Sequence, residues 1–448
     1  MSATEIDIAQ ILAPHRDRIE TRLIRIGSGL IEATDALLSE LLPPPPWLLY
    51  ADGNTWKAAG EKMAAGLAAR KIPYAKSLFE TSEQPLVASD AEVESLTSRL
   101  AASGANALVA IGSGTINDVA KLASLRSTRP YAVIATAPSM NGYTSAAAAL
   151  LSAGVKVTTP ARAPVACLFD LDVVAAAPQR MIAAGFGDLL SRAVSMADWR
   201  LSHRLLQTPY DQESADLMTA AADLIEEIEA GLRVRDHAAV ARLCAALSVS
   251  GAAMALAGSS APASGGEHLI SHYLDMTAIA RGLRHDLHGC QVGVATLVTA
   301  GMYERLLQLA PGDIDVTTAT DHHPTWEEYA LLVEGHFGPM SDDLLDLTRP
   351  TYPETADLPE RLLHFRNQLP GLRRELAHSL YPAAHLRRRL RDAGAPTSFA
   401  EVGVDPAWAR DAILHCKDIR PRYTILHLAH ELGRLQLWGA ELLANQRI

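Results

Sequence analysis

The stretch AIGSGTIND, residues 110–118, follows a short apolar run and precedes a segment with a helical pattern. Gly112 and Gly114 form a Gly-x-Gly pair, which lets a backbone approach a diphosphate, and the helix N-terminus that follows favours negative charge. Asn117, however, stands where a dinucleotide-binding fingerprint has its third glycine. The pair also lies later in the chain than that fingerprint, which normally follows the first strand. Taken alone, the loop fits an anion site and a ligand-free tight turn equally well.

Apolar runs alternate with helical segments on both sides of this loop. The alternation predicts a mostly parallel sheet covered by helices on both faces, an α/β Rossmann-like fold. The predicted strands cover residues 47–52, 74–80, 107–112, 131–139 and 165–170. The polar loops 51–55, 110–118 and 136–145 each follow a strand. They therefore fall at the carboxyl edge of the sheet, where open α/β folds bind ligands.

The segments before and after the predicted strands have a different sequence pattern. Residues 3–42 have a helical pattern that ends at the proline run 43–46, so we predict a helical extension over residues 1–46. Residues 47–175 form the predicted α/β dinucleotide-binding domain. After Pro178 the sequence is rich in alanine and leucine with almost no strand pattern, which predicts an all-α domain over residues 176–448. Within it, residues 310–400 indicate shorter helices and loops.

Composition restricts the class of protein. The chain of 448 residues has a net charge of −11, which argues against a nucleic-acid partner. No apolar run approaches the roughly 18 residues of a membrane span, and the N-terminus does not resemble a signal peptide. The four cysteines are widely spaced, which fits reduced thiols. We therefore expect a cytoplasmic protein, in which a local basic pocket for a small anion stays possible.

Histidines in the helical part suggest a metal site. The stretch GGEHLISHYLDM, residues 265–276, places His268 and His272 four residues apart on one helix face. His288 begins a later apolar helix, and Asp188 lies near the start of the helical part. One carboxylate and two imidazoles could hold a catalytic metal with open positions for substrate. With 16 histidines in the chain, surface or capping roles are the stronger interpretation of the spacing alone.

Five motifs together resemble one family, the sn-glycerol-1-phosphate dehydrogenases, in the superfamily of iron-type alcohol dehydrogenases, glycerol dehydrogenase and dehydroquinate synthase. The motifs are GSGTINDVAK, TAPSMNGYTS, AGFGD followed by ADW, GGEHLISHYLD and HGCQVGV, in this order and near the family's spacings. The resemblance covers residues 47–300 well and residues 405–440 moderately.

The resemblance implies a set of functional residues. The divalent-metal ligands, with zinc or nickel as candidates, would be Asp188, His268 and His288. NAD or NADP would be bound through Asp52, Asn54, Gly112, Ser113, Gly114, Thr115, Asp118, Thr136 and Ser139. His272 would serve proton transfer, and Asn141 would contact the substrate hydroxyl. Much of the family has Asp at this last position, and Asn cannot carry its negative charge.

The implied reaction interconverts dihydroxyacetone phosphate and sn-glycerol 1-phosphate by hydride transfer, in a chain expected to form a homo-oligomer. Lys156, Arg192 and Arg284 are candidates for binding the phosphate, and Glu80 for selecting NAD over NADP. Three alternatives stay open at this point. The first is a polyol dehydrogenase, which Asn141 does not exclude. The second is a lyase of the dehydroquinate synthase type, which the GFGD stretch disfavours, and the third is a binding protein without turnover, which the Asp-His-His set and the glycine loop disfavour.

Overall fold

The computed structural model describes residues 8–79, 86–152, 155–377 and 379–446. The chain forms two compact units. The first comprises Met1–Leu189, Gln212–Pro262 and Asp392–Gly394, and the second comprises Leu190–Asp211, Ala263–Arg391 and Ala395–Ile448. Residues 212–262, which the sequence analysis assigned to the helical domain, therefore lie in the same unit as the sheet.

A six-stranded parallel sheet forms the centre of the first unit, with strand order β1-β8-β5-β4-β2-β3. A separate antiparallel hairpin pairs β6 with β7. The strands are β1 (Leu23–Gly27), β2 (Trp47–Asp52), β3 (Tyr74–Phe79), β4 (Ala107–Gly112), β5 (Tyr131–Ala135), β6 (Ala147–Ser152), β7 (Val155–Pro160) and β8 (Ala166–Asp170).

The central strands explain the architecture. Every residue of β4 and β5 is buried. A strand that is apolar on both faces needs cover on both faces, and parallel connections supply it as helices. The predicted α/β fold class and its five strands are thus confirmed, although the strand predicted over residues 131–139 ends at Ala135. The glycine loop follows β4 in the middle of the sheet.

The predicted helical extension over residues 1–46 is wrong in one respect. Leu23–Gly27 form an edge strand that pairs in parallel with β8. The five residues LIRIG are too short to show a period, and their pairing partner lies about 140 residues further along the chain. The local sequence pattern therefore does not predict this strand.

Helices of the first unit cover the sheet and extend beyond it. They are α1 (Ala9–Leu12), α2 (Thr34–Ser39), α3 (Gly53–Thr55), α4 (Glu61–Ala69), α5 (Asp90–Ala102), α6 (Gly114–Ser127), α7 (Leu171–Val174), α8 (Gln179–Leu190), α10 (Gln212–Leu224), α11 (Glu229–Arg233) and α12 (His237–Ala257). Helix α12 is long and apolar enough to cross a membrane, but 89% of that window is buried inside the protein. Core helices of soluble proteins have the same composition.

The second unit is helical throughout its described residues, with short 3₁₀ turns between helices. Its helices are α9 (Arg192–Leu206), α13 (Gly266–Ala280), α14 (His288–Gln308), α15 (Val316–Asp321), α16 (Trp326–Phe337), α17 (Ser341–Thr348), α18 (Leu358–Leu376), α19 (Ala383–Asp392), α20 (Pro406–His415), α21 (Ile425–Glu431) and α22 (Leu435–Gln446). Helices α13 and α14, which carry the candidate histidines, pack against each other and against α9.

Candidate active site

The glycine loop joins β4 directly to α6. Ser113 is the only residue between the two elements, and its backbone is extended. A Cβ atom on Gly112 would lie 2.5 Å from Cβ of Ile116, so this position accepts no side chain. Among the described residues, no side chain caps the N-terminus of α6. The first-turn N–H groups therefore suit an anion, and Thr115 lies in that turn.

Asp52 and Asn54 lie at the end of β2, the neighbouring strand. The Asp52 carboxylate accepts hydrogen bonds from the N–H groups of Asn54 and Thr55, at 2.7 and 2.9 Å. The Thr55 hydroxyl in turn accepts from the Asp52 N–H, which completes a capping box for α3. Asp52 thus has a structural role beside its predicted coenzyme role, while Asn54 is exposed.

Asp118 is already engaged by the protein. Its Oδ2 accepts the N–H of Ala149 at 3.2 Å, and its Oδ1 lies 3.4 Å from Nζ of Lys121. Burial raises the pKa of Asp118, and the Lys121 charge opposes that rise. Asp118 therefore serves as the counter-ion of a buried lysine, a role that the sequence analysis did not anticipate.

The loop over residues 136–145 follows β5 at the same edge of the sheet. Its first residue, Thr136, donates its N–H to the carbonyl of Gly112 at 3.2 Å. Thr136, Ser139 and Asn141 are all buried. A Cβ atom on Gly185 of α8 would overlap the carbonyl oxygen of Pro138. The loop that carries Ser139 and Asn141 therefore packs directly onto the backbone of α8.

Asp188 lies on α8, one turn after Gly185. It is almost completely buried, and its Oδ2 accepts the backbone N–H of Asn141 at 2.8 Å. The helix thus presents a carboxylate whose orientation is fixed by the loop that carries Asn141. Orientation by an outer hydrogen bond is typical of carboxylates that bind metals.

In the second unit, His268 is oriented by its neighbour in sequence. Its Nδ1 lies 2.7 Å from Oε1 of Glu267, which is itself fully buried and accepts the N–H of Gly265. A carboxylate at Nδ1 leaves Nε2 as the nitrogen that can bind a metal, and it fixes the orientation of the ring.

His288 is held in the same way from α13. Its Nδ1 lies 3.0 Å from Oγ of Ser271, whose hydroxyl donates to Oε1 of Gln291 at 2.8 Å. The ring of His288 lies 5.1 Å from that of His268 and stacks on that of His272 at 5.4 Å. The two helices therefore bring all three predicted histidines together.

The predicted ligand set has donor types that suit a divalent metal, and each donor is oriented within its own unit. Two oriented imidazoles and one buried carboxylate are donors that zinc and related transition metals accept. The residues therefore fit a metal, and Glu267, Ser271 and Gln291 are supporting residues that the sequence analysis missed. The pairing of Glu267 with an adjacent histidine has no sequence period that would reveal it.

The structure does not choose among the candidates for phosphate binding and coenzyme selection. Lys156 lies on β7, Arg192 begins α9, and Arg284 is exposed in the segment between α13 and α14. Glu80 lies outside the described residues. The choice of phosphate-binding and coenzyme-selecting residues stays a prediction.

Comparison with known proteins defines the class. Residues 25–178 match the family of iron-containing alcohol dehydrogenases. The fold is similar to a probable glycerol dehydrogenase from Sinorhizobium meliloti, with a TM-score of 0.61 and 17% identity over 95% of this chain and 98% of the other. It is also similar to glycerol dehydrogenase from Schizosaccharomyces pombe, with a TM-score of 0.62 and 15% identity over 96% and 92%. The chain has the fold of this dehydrogenase class.

Closer relatives define the family within that class. The glycerol-1-phosphate dehydrogenase (NAD(P)+) of Bacillus velezensis is 31% identical over 94% of both chains. That of Geobacillus thermodenitrificans is 31% identical over 86% of both chains. The chain belongs to the glycerol-1-phosphate dehydrogenase family, as the sequence motifs indicated.

Proposed function

We propose that this protein is an NAD(P)-dependent, metal-dependent dehydrogenase that interconverts dihydroxyacetone phosphate and sn-glycerol 1-phosphate. The proposal rests on 31% identity over 94% of the glycerol-1-phosphate dehydrogenase of Bacillus velezensis. The oriented side chains of Asp188, His268 and His288 support it. Family membership supports the reaction, and the chemistry of the three donors supports a metal site.

Asp188, His268 and His288 would hold the divalent metal, for which zinc and nickel are our candidates. When bound, a divalent metal polarises the substrate carbonyl and NAD(P)H supplies the hydride. Glu267 and Ser271 fix the two imidazole planes. The protein thereby avoids reorienting these side chains during turnover.

The first turn of α6 would bind the pyrophosphate of the coenzyme. Gly112 and Gly114 allow close approach of the backbone, and the uncapped N–H groups donate to phosphate oxygens. Thr136 and Ser139 follow β5, the next strand in the sheet, and would border the nicotinamide. Asp52 and Asn54 follow β2 on the other side and would border the adenosine.

Two residues would act on the substrate. Asn141 would hydrogen-bond the substrate hydroxyl through its side-chain amide, because its backbone N–H is used by Asp188. His272 is buried beside His268 and His288 and would hold or pass the proton that the product oxygen gains. A neutral imidazole can do both because its two nitrogens differ in role.

We place the protein in the cytoplasm as a homo-oligomer. All four cysteines are buried free thiols, which suits a reducing compartment.

A second candidate function is a polyol dehydrogenase acting on an unphosphorylated substrate. Asn141 supports this alternative because it departs from the Asp that much of the family has at this position.

A comparison of substrates tests the proposal. The zinc- or nickel-loaded protein is mixed with NADH or NADPH, and absorbance at 340 nm is followed with dihydroxyacetone phosphate and, separately, with unphosphorylated dihydroxyacetone. We expect oxidation with the phosphorylated ketone and little with the other. Equal rates would support the polyol dehydrogenase, and no oxidation with either coenzyme would contradict both functions.

A further inference from the structure

Two buried side chains of α6 point away from the proposed coenzyme loop, toward the loop that carries Asn141. The amide of Asn117 is fully buried, accepts from the Tyr131 hydroxyl at 3.1 Å and donates to the carbonyl of Tyr143 at 3.4 Å. Asn117 therefore does not face a coenzyme. It occupies the third-glycine position because α6 here contacts another loop of the protein.

Lys121, one turn further along, binds the next part of the same loop. Its Nζ donates to the carbonyls of Gly142 and Ala147 at 2.5 and 2.7 Å and to Oγ of Ser145 at 2.9 Å. With all three donors used and Asp118 at 3.4 Å, this ammonium group is fully satisfied although its side chain has no exposed surface.

A completely buried lysine is costly unless it is paired and hydrogen-bonded. Burial lowers the pKa of Lys121, and the Asp118 carboxylate opposes that shift. The contacts of Lys121 converge on residues 142–147, directly after Asn141. Apart from the Asp118 pair on α6 itself, the contacts that offset its burial are thus made with the loop over residues 136–145 and the first residue of β6.

The same loop also touches the glycine loop. Sδ of Met140 accepts the N–H of Gly142 at 2.9 Å, and the Met140 side chain lies against Gly114, where a Cβ atom would come within 3.3 Å of its Cγ. One rigid helix therefore carries the glycine loop at its N-terminus and the groups that hold the Asn141 loop on its next two turns.

We infer that Asn117 and Lys121, with Asp118 as counter-ion, are positioning residues that fix the Asn141 loop relative to the coenzyme loop. This rests on the proposed function only in assigning Asn141 to the substrate. Helix α6 would then bind the coenzyme through its backbone N–H groups and hold the Asn141 loop through the side chains of Asn117 and Lys121.

Hydrogen exchange tests the inference without any substrate. Lys121→Met removes the charge and the three donors at similar volume, and Arg126→Met removes an exposed cation from the same helix as a matched control. In Lys121→Met we expect the amides of residues 140–147 to exchange about tenfold faster or more, with residues 107–112 unchanged. Unchanged exchange in residues 140–147 would overturn the inference.

Kinetics then distinguish a positioning role from a coenzyme contact. With Lys121→Met we expect kcat/KM for dihydroxyacetone phosphate to fall about 10- to 100-fold, while the Kd for NADH stays within about twofold of that of the unmodified chain. A raised Kd with unchanged kcat at saturating NADH would instead make Lys121 a coenzyme ligand. Loss of thermal stability with unchanged kcat/KM would reduce it to a structural residue, and either result overturns the inference.

A milder variant covers the case in which Lys121→Met does not fold. Ser145→Ala removes one of the three acceptors and leaves the charge pair intact. We expect a smaller increase in exchange over residues 140–147, and no increase would count against the inference. If the unmodified chain fails to reduce dihydroxyacetone phosphate, the proposed function fails, whereas the exchange result still decides the role of Lys121.

Discussion

The backbone N–H of Asn141 donates a hydrogen bond of 2.8 Å to Oδ2 of Asp188. The proposed substrate residue and the proposed metal ligand are thus joined through the main chain and not through the Asn141 side chain. Replacing the family's Asp by Asn at this position leaves that bond intact. The side chain and the metal ligand can therefore be tested separately.

Asn141→Ala should retain the metal and lose substrate affinity. The backbone donor to Asp188 survives, so we expect metal content to stay at that of the unmodified chain. Loss of the amide should raise the KM for dihydroxyacetone phosphate and lower kcat/KM by about 10- to 100-fold. Metal analysis by mass spectrometry and initial rates at 340 nm check both parts. A variant that loses its metal would show that the side chain, and not the backbone, supports Asp188.

Gly185→Ala should disturb the Asn141 loop directly. The added methyl group would overlap the carbonyl oxygen of Pro138, and two backbone segments cannot move apart cheaply. We expect a loss of about 1–3 kcal/mol in the free energy of unfolding, measured by urea denaturation.

Gly66→Ala on α4 is the matched control, since its nearest neighbour is the end of the flexible Arg70 side chain at 3.4 Å. We expect it to be neutral or slightly stabilising, by up to about 1 kcal/mol. Equal destabilisation by the two substitutions would show that close packing at Pro138 is not the cause.

Glu267→Gln should weaken metal binding without removing a ligand. Gln can still accept a hydrogen bond from His268 Nδ1, but it lacks the charge that orients and polarises the ring. We expect metal affinity to fall about 10- to 100-fold in competition with a chelator. Asp405→Asn, an exposed helix cap on α20, should leave the affinity unchanged. Unchanged affinity in Glu267→Gln would remove Glu267 from the metal site.

Acid should destabilise the second unit through its buried histidines. Burial lowers the pKa of His323 to about 4 and that of His427 to about 3, and it also lowers the pKa of His430. These rings stay neutral in the folded state at pH values where the unfolded chain, with histidine pKa near 6.5, is protonated. The unfolded state then binds more protons, so stability falls as pH drops below about 6.5.

The expected slope is up to about 1.4 kcal/mol per pH unit for each such histidine between the unfolded and folded pKa values. Urea unfolding in the presence of chelator, between pH 7.5 and 5, measures this slope without a contribution from metal release. His323→Gln should reduce it, and His322→Gln, at the exposed neighbouring position, should not. A slope that is the same in both variants would show that His323 does not titrate as its burial implies.

The sequence predicts the central strands well because they are apolar on both faces and are separated by clear helices. It misses β1, whose only support is pairing with the distant β8, and the β6–β7 hairpin, where AAALLS has a composition closer to that of a helix than of a strand. Short strands of this kind depend on their partners and not on local pattern.

For the candidate site, too, the sequence identifies some residues and misses the contacts that orient them. The spacing of His268 and His272 and the resemblance to the family identify three histidines that the second unit brings together. The partners that orient them, Glu267 and Ser271, and the buried contacts of Asn117 and Lys121, depend on side-chain directions in three dimensions. The motif over residues 112–118 predicts a coenzyme loop but not the bonds of the Asn117 and Asp118 side chains to the protein itself. The coenzyme contact of Asp118 stays a prediction.

Metal titration of the stripped protein tests the central claim most directly. The chain is freed of metal with chelator, zinc or nickel is added back in steps, and the rate of NADH or NADPH oxidation with dihydroxyacetone phosphate is measured at 340 nm beside His268→Ala. We predict no activity without metal, a rise that saturates near one metal per chain, and no recovery in the variant. Undiminished oxidation in the metal-free protein, or full recovery in His268→Ala, would contradict the account.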